Sequence, residues 1–366
     1  MAAFLAQEGV RKGTDGEALH PGKMLRVGEW WRRRSRNTKR RLVFYPAIVL
    51  GFGAFLAFTM LMPGRSHRGA LPPLEAEQEK LATRLRADVT ALVGASPERS
   101  QRLAGTLERG AGLIEKELQA DGYAVTRLPY VSDGATIVNL EAVLAGGALA
   151  REVVVIGAHY DSAAWAPGAD DNASGVAAML AIAHALAASK HTPARTVRFV
   201  AFVNEEPPFF WNEEMGSLVY AKACKARGDA IVAMLSLETL GYYRDEAGSQ
   251  KYPPVVSWFY PERGDFVGFV GNLGSRGVVR EAIGAFRGAV AFPSEGAALP
   301  SFVTGVGWSD QWSFWQVGYA GVMVTDTAPF RNPNYHQPSD KPDTLDYGRL
   351  ARVTEGLVAV VKKLAN

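Results

Sequence analysis

The sequence predicts an α/β protein, a largely parallel mixed central sheet with helices on both faces, preceded by one transmembrane helix. Three observations carry this. After residue 123, short β-rich runs alternate with helix-like stretches. Histidines and carboxylates recur where those runs give way to loops, the edge at which open α/β sheets gather their ligands. An uncharged apolar run, Leu42–Met62, stands ahead of all of them.

Taken in order, Glu75–Val93 and Ser100–Ala120 read as helices, and Tyr123–Val131 with Thr136–Leu144 as a strand hairpin. Alternation then sets in: a strand Glu152–Ala158, a helix Ser174–Ala188, a strand Thr196–Val203, a helix near Ser217–Arg227 and a strand Ile231–Leu237. A helix around Gly264–Leu273, a strand Gly321–Thr325 and a final helix Tyr347–Leu364 complete the series. No tandem repeat or low-complexity tract interrupts it.

The run LVFYPAIVLGFGAFLAFTMLM has the roughly 20 residues that a membrane span needs, and it is apolar all round rather than striped as a core helix would be. Arg32, Arg33, Arg34, Arg36, Lys39, Arg40 and Arg41 precede it, whereas only Arg65 and Arg68 follow. The positive-inside rule places the N-terminus in the cytoplasm and the bulk of the chain in the periplasm or outside the cell. The long basic stretch and the lack of a small-x-small site favour an uncleaved signal anchor over a cleaved signal. The expected division is a basic, partly disordered tail over 1–41 (disorder over 1–29), the anchor over 42–62, a Gly/Pro-rich linker over 63–73 and one domain over 74–366.

Residues 1–69 hold 13 Lys or Arg against 4 Asp or Glu, a balance of +9 in a chain whose net charge is +3. The remainder is acidic, which argues against a nucleic-acid partner and assigns the basic cluster to topology and anionic lipid. The single cysteine, Cys224, forms no intrachain disulfide and reads as a packed thiol in the helix-like stretch VYAKACKARG. A domain of nearly 300 residues buries enough core without staples.

His159, Asp171, Glu206, Glu238 and His336 are the candidate metal ligands. They stand in the segments VVVIGAHYDS, PGADDNASG, FVAFVNEEPP, MLSLETLGYY and NPNYHQPSDKPDTLDY. Neutral imidazole and carboxylate suit Zn²⁺, and five such groups with one carboxylate shared suffice for a two-metal hydrolytic site. Asp161, two residues after His159, is placed to orient that imidazole. Any one of these residues alone would read as an ordinary polar loop residue.

The order His-x-Asp, Gly-Ala-Asp-Asp-Asn-Ala-Ser-Gly, Glu-Glu after a strand, an acid after the next strand and a late His resembles the co-catalytic zinc aminopeptidases. Those are the bacterial leucyl aminopeptidase-like metallopeptidases, related to glutamate carboxypeptidase and glutaminyl cyclase. The likeness covers residues 75–366. It implies two zinc ions bridged by Asp171, with His159 and Glu238 on one and Glu206 and His336 on the other, Glu205 as general base, and a bond Asp171–Asn172 that in the family is often cis. The chemistry asks for the same parts: a water between two Lewis acids loses a proton near neutral pH, and a carboxylate that is not itself a ligand carries it to the leaving amine. Pro207 and Pro208 favour the early exit from the strand that lets one of two neighbouring glutamates ligate while the other reaches the water.

Glu213 and Glu214, just before Met215-Gly216-Ser217, are a rival pair, since many relatives carry their glutamates close before Gly-Ser. Glu205 and Glu206 follow directly on the β-rich run, with PPFFWNEEM read as an inserted loop, and the rival pair otherwise reads as acids at a helix N-terminus. Glu238 stands where aspartate is commoner, and Gln311 where many relatives have histidine. Phe209, Phe210, Trp211 and Trp165 raise the question of an aromatic substrate pocket, set against simple loop packing. Tyr242 and Tyr243 are candidate oxyanion donors. The resemblance therefore implies a membrane-anchored di-zinc aminopeptidase acting on peptides. A one-zinc glutaminyl cyclase-like acyltransferase and a non-catalytic ectodomain are the alternatives.

Overall fold

The computed structural model describes residues 31–32, 34–189, 192–253 and 256–366, so the disorder expected over 1–29 lies outside the described residues. The chain divides into two compact units, Met1–Phe55 and Leu56–Asn366. One helix among the described residues, Arg36–Met60, is long and apolar enough to cross a membrane. Its 25 residues span about 37 Å. It starts ahead of the uncharged run, taking in Arg36, Lys39, Arg40 and Arg41, and stops at Met60. Cationic side chains meet the carbonyls that the helix end leaves unpaired: Arg276 Nε donates to Phe58 O at 2.5 Å, Arg280 to Leu61 O, and Arg287 to Pro63 O at 3.1 Å.

Eight strands build the larger unit: β1 Val125–Ser132, β2 Ala135–Leu144, β3 Leu149–His159, β4 Arg195–Phe202, β5 Ala230–Glu238, β6 Val267–Asn272, β7 Ser294–Leu299 and β8 Gly321–Thr325. Their spatial order is β1-β2-β4-β3-β5-β8-β6-β7. β4, β3, β5 and β8 run parallel, the β1–β2 hairpin joins β4 antiparallel, and β6 with β7 forms a parallel pair antiparallel to β8.

The period of two along β3 decides which layer each residue joins. Val154 and Ile156 pack into the main core under the helices Ala76–Ala95, Thr106–Ala120, Gly175–Ala188, Arg276–Ala289 and Tyr347–Ala365. Val153 and Val155 face a second core with Tyr220, Ala221 and Cys224 of the helix Gly216–Arg227 and Phe314 of the helix Gln311–Gln316. Cys224 is a buried, free thiol. A sheet covered on both faces accepts the near-continuous apolar runs that these strands carry.

Three readings change. The segment expected as a helix around Gly264–Leu273 is β6, and the helix begins at Arg276. FVGFV is short and apolar throughout, so periodicity alone does not separate strand from helix, and its place between β8 and β7 settles the matter. β7, Ser-Glu-Gly-Ala-Ala-Leu, has no β-branched or aromatic residue and was not expected as a strand. The helix expected from Ser100 starts at Thr106, because Ser100 O accepts from Thr106 Oγ1 at 2.9 Å and Gly105 adopts φ +73°.

Close backbone approach fixes the exit of β4. Gly216 N donates to Val203 O at 2.9 Å, and Asn139 links both segments, accepting from Val203 N at 3.0 Å and donating to Gly216 O at 2.8 Å. A Cβ at Gly216 would collide with the Val203 carbonyl and the Asn139 side chain. Gly112, in the helix Thr106–Ala120, has nothing within 4 Å of the same position. Gly216→Ala is therefore expected to destabilise the fold by roughly 1–3 kcal/mol, and Gly112→Ala to stabilise it by up to about 1 kcal/mol. Denaturant titration of both variants checks the opposite signs.

Candidate metal centre

β3, β4 and β5 are neighbours and parallel, so their carboxyl ends open on one edge of the sheet. His159 closes β3, Glu238 closes β5, and Glu205 and Glu206 follow the end of β4. Asp171 lies in the tight loop before the helix Gly175–Ala188, and His336 in the loop beyond β8. The fold brings all five candidate ligands together. Asp171 Oδ1 lies 3.3 Å from His159 Nε2, and Asp171 Oδ2 lies 3.0 Å from His336 Nε2. Glu238 Oε2 is 3.3 Å from His159 Nε2, and Glu206 Oε2 is 3.2 Å from His336 Nε2.

These separations bear directly on a metal. Donor atoms about 2.0–2.1 Å from a tetrahedral zinc stand about 3.3–3.4 Å apart. Both nitrogens of His159, both oxygens of Asp171, Glu206 Oε1 and His336 Nε2 are buried without a hydrogen-bond partner in protein. Such atoms demand an explanation, and a cation among them supplies one. One ligand atom from each of His159, Asp171 and Glu206 lies within 4.8 Å of the others, close enough to share a metal ion. Residue types and spacing thus fit the group that the sequence implies.

The supporting bonds come from distant parts of the chain. Asp340 accepts from the backbone N–H groups of Asp170 at 2.9 Å and Asp171 at 3.1 Å. Asn172 accepts from Gly175 N at 3.1 Å and Thr239 N at 3.0 Å, and donates to Leu237 O at 2.8 Å. The bond Asp171–Asn172 is cis. Asp161 accepts from Glu205 N at 3.2 Å and Glu206 N at 3.0 Å, with Oδ1 3.4 Å from His159 Nδ1. Ser309 donates to Glu238 Oε2 at 2.6 Å. Arg99 is fully buried and donates to Tyr160 O, Pro167 O and Gly168 O at 2.6, 2.7 and 2.9 Å, so it pins the loop between His159 and Asp171.

Electrostatically the cluster is short of positive charge. Burial, with Asp171 beside it, pushes Glu206 up to about 8. Glu205 is raised well above the carboxylate range by burial, with Glu238, Glu206 and Asp310 adding to the shift. Burial alone would lower His336, yet Asp171 and Glu206 carry it up to about 10. His159 is raised in the same way: Glu238 and Glu205 overcome its burial.

Other sequence candidates lie elsewhere. Glu214 accepts from Ser132 Oγ at 2.6 Å and Asp133 N at 3.1 Å, tying the loop to the β1–β2 hairpin, and Glu213 pairs with Lys222 at the surface. Trp211 donates to Gly307 O at 2.9 Å and stacks on Phe210 and Trp312, while Trp165 lies under Arg102. These rings pack loops against the body. Tyr242 accepts from Arg244, and Tyr243 packs on Phe292. Gln311 is buried and donates to Val306 O. An apolar cleft opens beside Glu238, with Tyr252, Tyr260, Phe266, Phe330 and Tyr335 in its wall. Tyr335, which the sequence did not single out, stacks on His336 with ring centroids 3.9 Å apart. Its adjacency to His336 was the available signal.

Residues 139–361 match the model of Peptidase family M28. Over 251 residues the chain is 38% identical to uncharacterized protein YfbL of Escherichia coli (strain K12), covering 63% of this chain and 76% of that one. The zinc aminopeptidase BSAP of Bacillus subtilis is similar in structure, with a TM-score of 0.62 at 16% identity over 78% of this chain and 95% of its own. A glutaminyl cyclase of Fimbriiglobus ruber is similar at TM-score 0.57 and 19% identity, covering 81% and 97%. At such identities the structural likeness speaks for the fold.

Arg99→Ala strips three buried carbonyls of their donor and is expected to cost about 3–5 kcal/mol. Arg127→Ala, which removes a half-exposed pair with Glu108, is expected to cost about 1 kcal/mol or less. Denaturant midpoints of the two variants test the contrast.

Proposed function

The chain belongs to peptidase family M28, and from that premise we propose a membrane-anchored di-zinc aminopeptidase that removes N-terminal residues from peptides outside the cytoplasm. One observation carries the two-metal reading: each oxygen of Asp171 faces a different histidine, and each histidine has its own glutamate. In this reading His159 and Glu238 hold one zinc, His336 and Glu206 the other, and Asp171 both. The metals, when bound, supply Lewis acidity that acidifies the attacking water and polarises the scissile carbonyl.

The chain's own groups do the rest. Glu205, its carboxylate 3.9 Å from His159 Nε2 and its backbone held by Asp161, accepts a proton from the attacking water. As the carbon–oxygen bond forms and the carbon–nitrogen bond breaks, that proton passes to the leaving amine. Asp161 acts as a positioning residue for both glutamates and His159. Tyr335, kept protonated by its burial beside the acids and lining the cleft next to His336, is our candidate donor to the developing oxyanion. The cyclase alternative uses one zinc and leaves one of the two histidine–glutamate pairs beside Asp171 without a task. We assign residues 1–41 to a cytoplasmic tail, 42–62 to the span, 63–73 to a linker and 74–366 to the catalytic domain; the uncharged run and the basic residues ahead of it support this orientation.

Full-length protein is expected to bind close to two Zn²⁺, and chelation to abolish hydrolysis. A single zinc with none gained on titration would move the reading to the cyclase. Glu205→Gln should lower turnover at least about a hundredfold with metal content unchanged, whereas Glu206→Gln should weaken one metal site. Glu213→Gln and Glu214→Gln should leave zinc content as it is.

Orientation is open to a separate measurement. A reporter fused after Asn366 should be active outside the cytoplasm, with the mature N-terminus retained in membranes. A soluble exported form beginning near residue 65 would identify a cleaved signal instead.

A further inference from the structure

The floor of the apolar cleft is one face of the sheet, and its two ends are both acidic. Glu238 pairs in register with Thr325, Thr325 with Gly268, and Gly268 with Glu295, so the four residues form one row across β5, β8, β6 and β7. Residues level with one another across strands project from the same face. Three strand spacings set the α-carbons of Glu238 and Glu295 about 14 Å apart. Between them stand only Thr325 and Gly268, which leaves a trough. All four residues line the cleft.

Glu295 has no cationic partner in direct contact among the described residues; Ser66 is its one side-chain hydrogen-bond partner. Arg287, whose charge acts on Glu295, spends its donors elsewhere: Nε on Ser294 Oγ at 3.0 Å, one terminal nitrogen on Ser294 O at 2.6 Å and the other on Pro63 O at 3.1 Å. Among the described residues Glu295 makes no ion pair within 4 Å; Ser66 hydrogen-bonds to it, and Arg287 and Arg68 act on it only through space. It is only partly buried, and it faces the open cleft. A carboxylate at the end of an apolar bore matches a side chain with a long apolar stem and a cationic tip.

We infer that this cleft receives the side chain of the N-terminal residue, and that Glu295 at its far end selects arginine or lysine. This rests on the aminopeptidase reading above. Shorter apolar residues fill the near part of the bore and leave the acid without a cationic partner. Glu295 is thus a specificity-determining residue that takes no part in bond cleavage.

The test compares arginyl, lysyl and leucyl p-nitroanilides on the full-length, zinc-loaded protein in detergent, together with calorimetric binding of free L-arginine and L-leucine. The wild type should favour the basic substrates at least tenfold in kcat/KM. Glu295→Gln should lower the arginine-to-leucine ratio at least about tenfold and weaken arginine binding with zinc content unchanged. Gly268→Val, which puts a side chain into the trough, should penalise the basic substrates more than leucine. A wild-type preference for leucine, or an unchanged ratio in Glu295→Gln, overturns the inference while leaving the aminopeptidase reading intact. Where no aminoacyl substrate turns over, that reading falls by itself and calorimetry decides the inference: arginine binding lost in Glu295→Gln upholds it, and equal binding in both proteins overturns it.

Discussion

Asp171 must present its two carboxylate oxygens to two different imidazoles from inside the protein, and the surrounding structure follows from that constraint. A buried carboxylate is costly unless its charge is matched and its backbone satisfied. Asp340 caps the backbone N–H groups of Asp170 and Asp171, and Asn172 ties the following residues to the end of β5. Arg99 contributes a buried positive charge without entering the donor set, because its hydrogen bonds go to carbonyls of the loop before Asp171. The acids that remain, Glu205, Glu206 and Glu238, are raised by burial and by neighbouring carboxylates, Asp171 among them, so divalent cations are the natural counterweight.

Parallel strands explain why the site could be read from sequence at all. A strand, a loop and a returning helix put every β-to-loop junction of β3, β4 and β5 on one edge, so His159, Glu206 and Glu238 stood out as polar residues ending apolar runs. His336 ends no strand, and only its place in the family pattern marked it. Arg99, Ser309 and Asp340 were not singled out, and Asn172 only for the peptide bond before it, since each acts on backbone or on a ligand far away in sequence, and no local period marks such bonds. Between the two glutamate pairs sequence left a choice; the hydrogen bonds of Glu214 to the hairpin place that pair outside the cluster.

The fold was legible where periodicity was unambiguous and failed where composition was neutral. β7 carries glycine and alanine rather than β-branched residues and β6 has glycine at 268, where these strands form the cleft floor and bulky side chains would fill the space. The same requirement that hid these strands from a propensity reading gives the site its pocket. Conversely, the conspicuous aromatics Phe210 and Trp211 draw attention in sequence but pack against Trp312 and Gly307.

Residues just beyond the apolar helix belong to the catalytic body more closely than a flexible linker would. Met62 packs against the core, Ser66 Oγ accepts from Ser294 N at 2.9 Å, and Arg287 binds Pro63 and Ser294 together. Ser294 opens β7, and the next residue is Glu295. The seat of this segment therefore fixes the strand that carries the acidic end of the cleft, and the geometry of the pocket depends on residues that composition alone assigns to a spacer. Pro72, whose carbonyl accepts from Arg352, repeats the arrangement at the other end of the segment. Backbone carbonyls without regular partners are satisfied by arginines of the body at both ends, which is what holds an irregular Gly/Pro-rich stretch in one conformation.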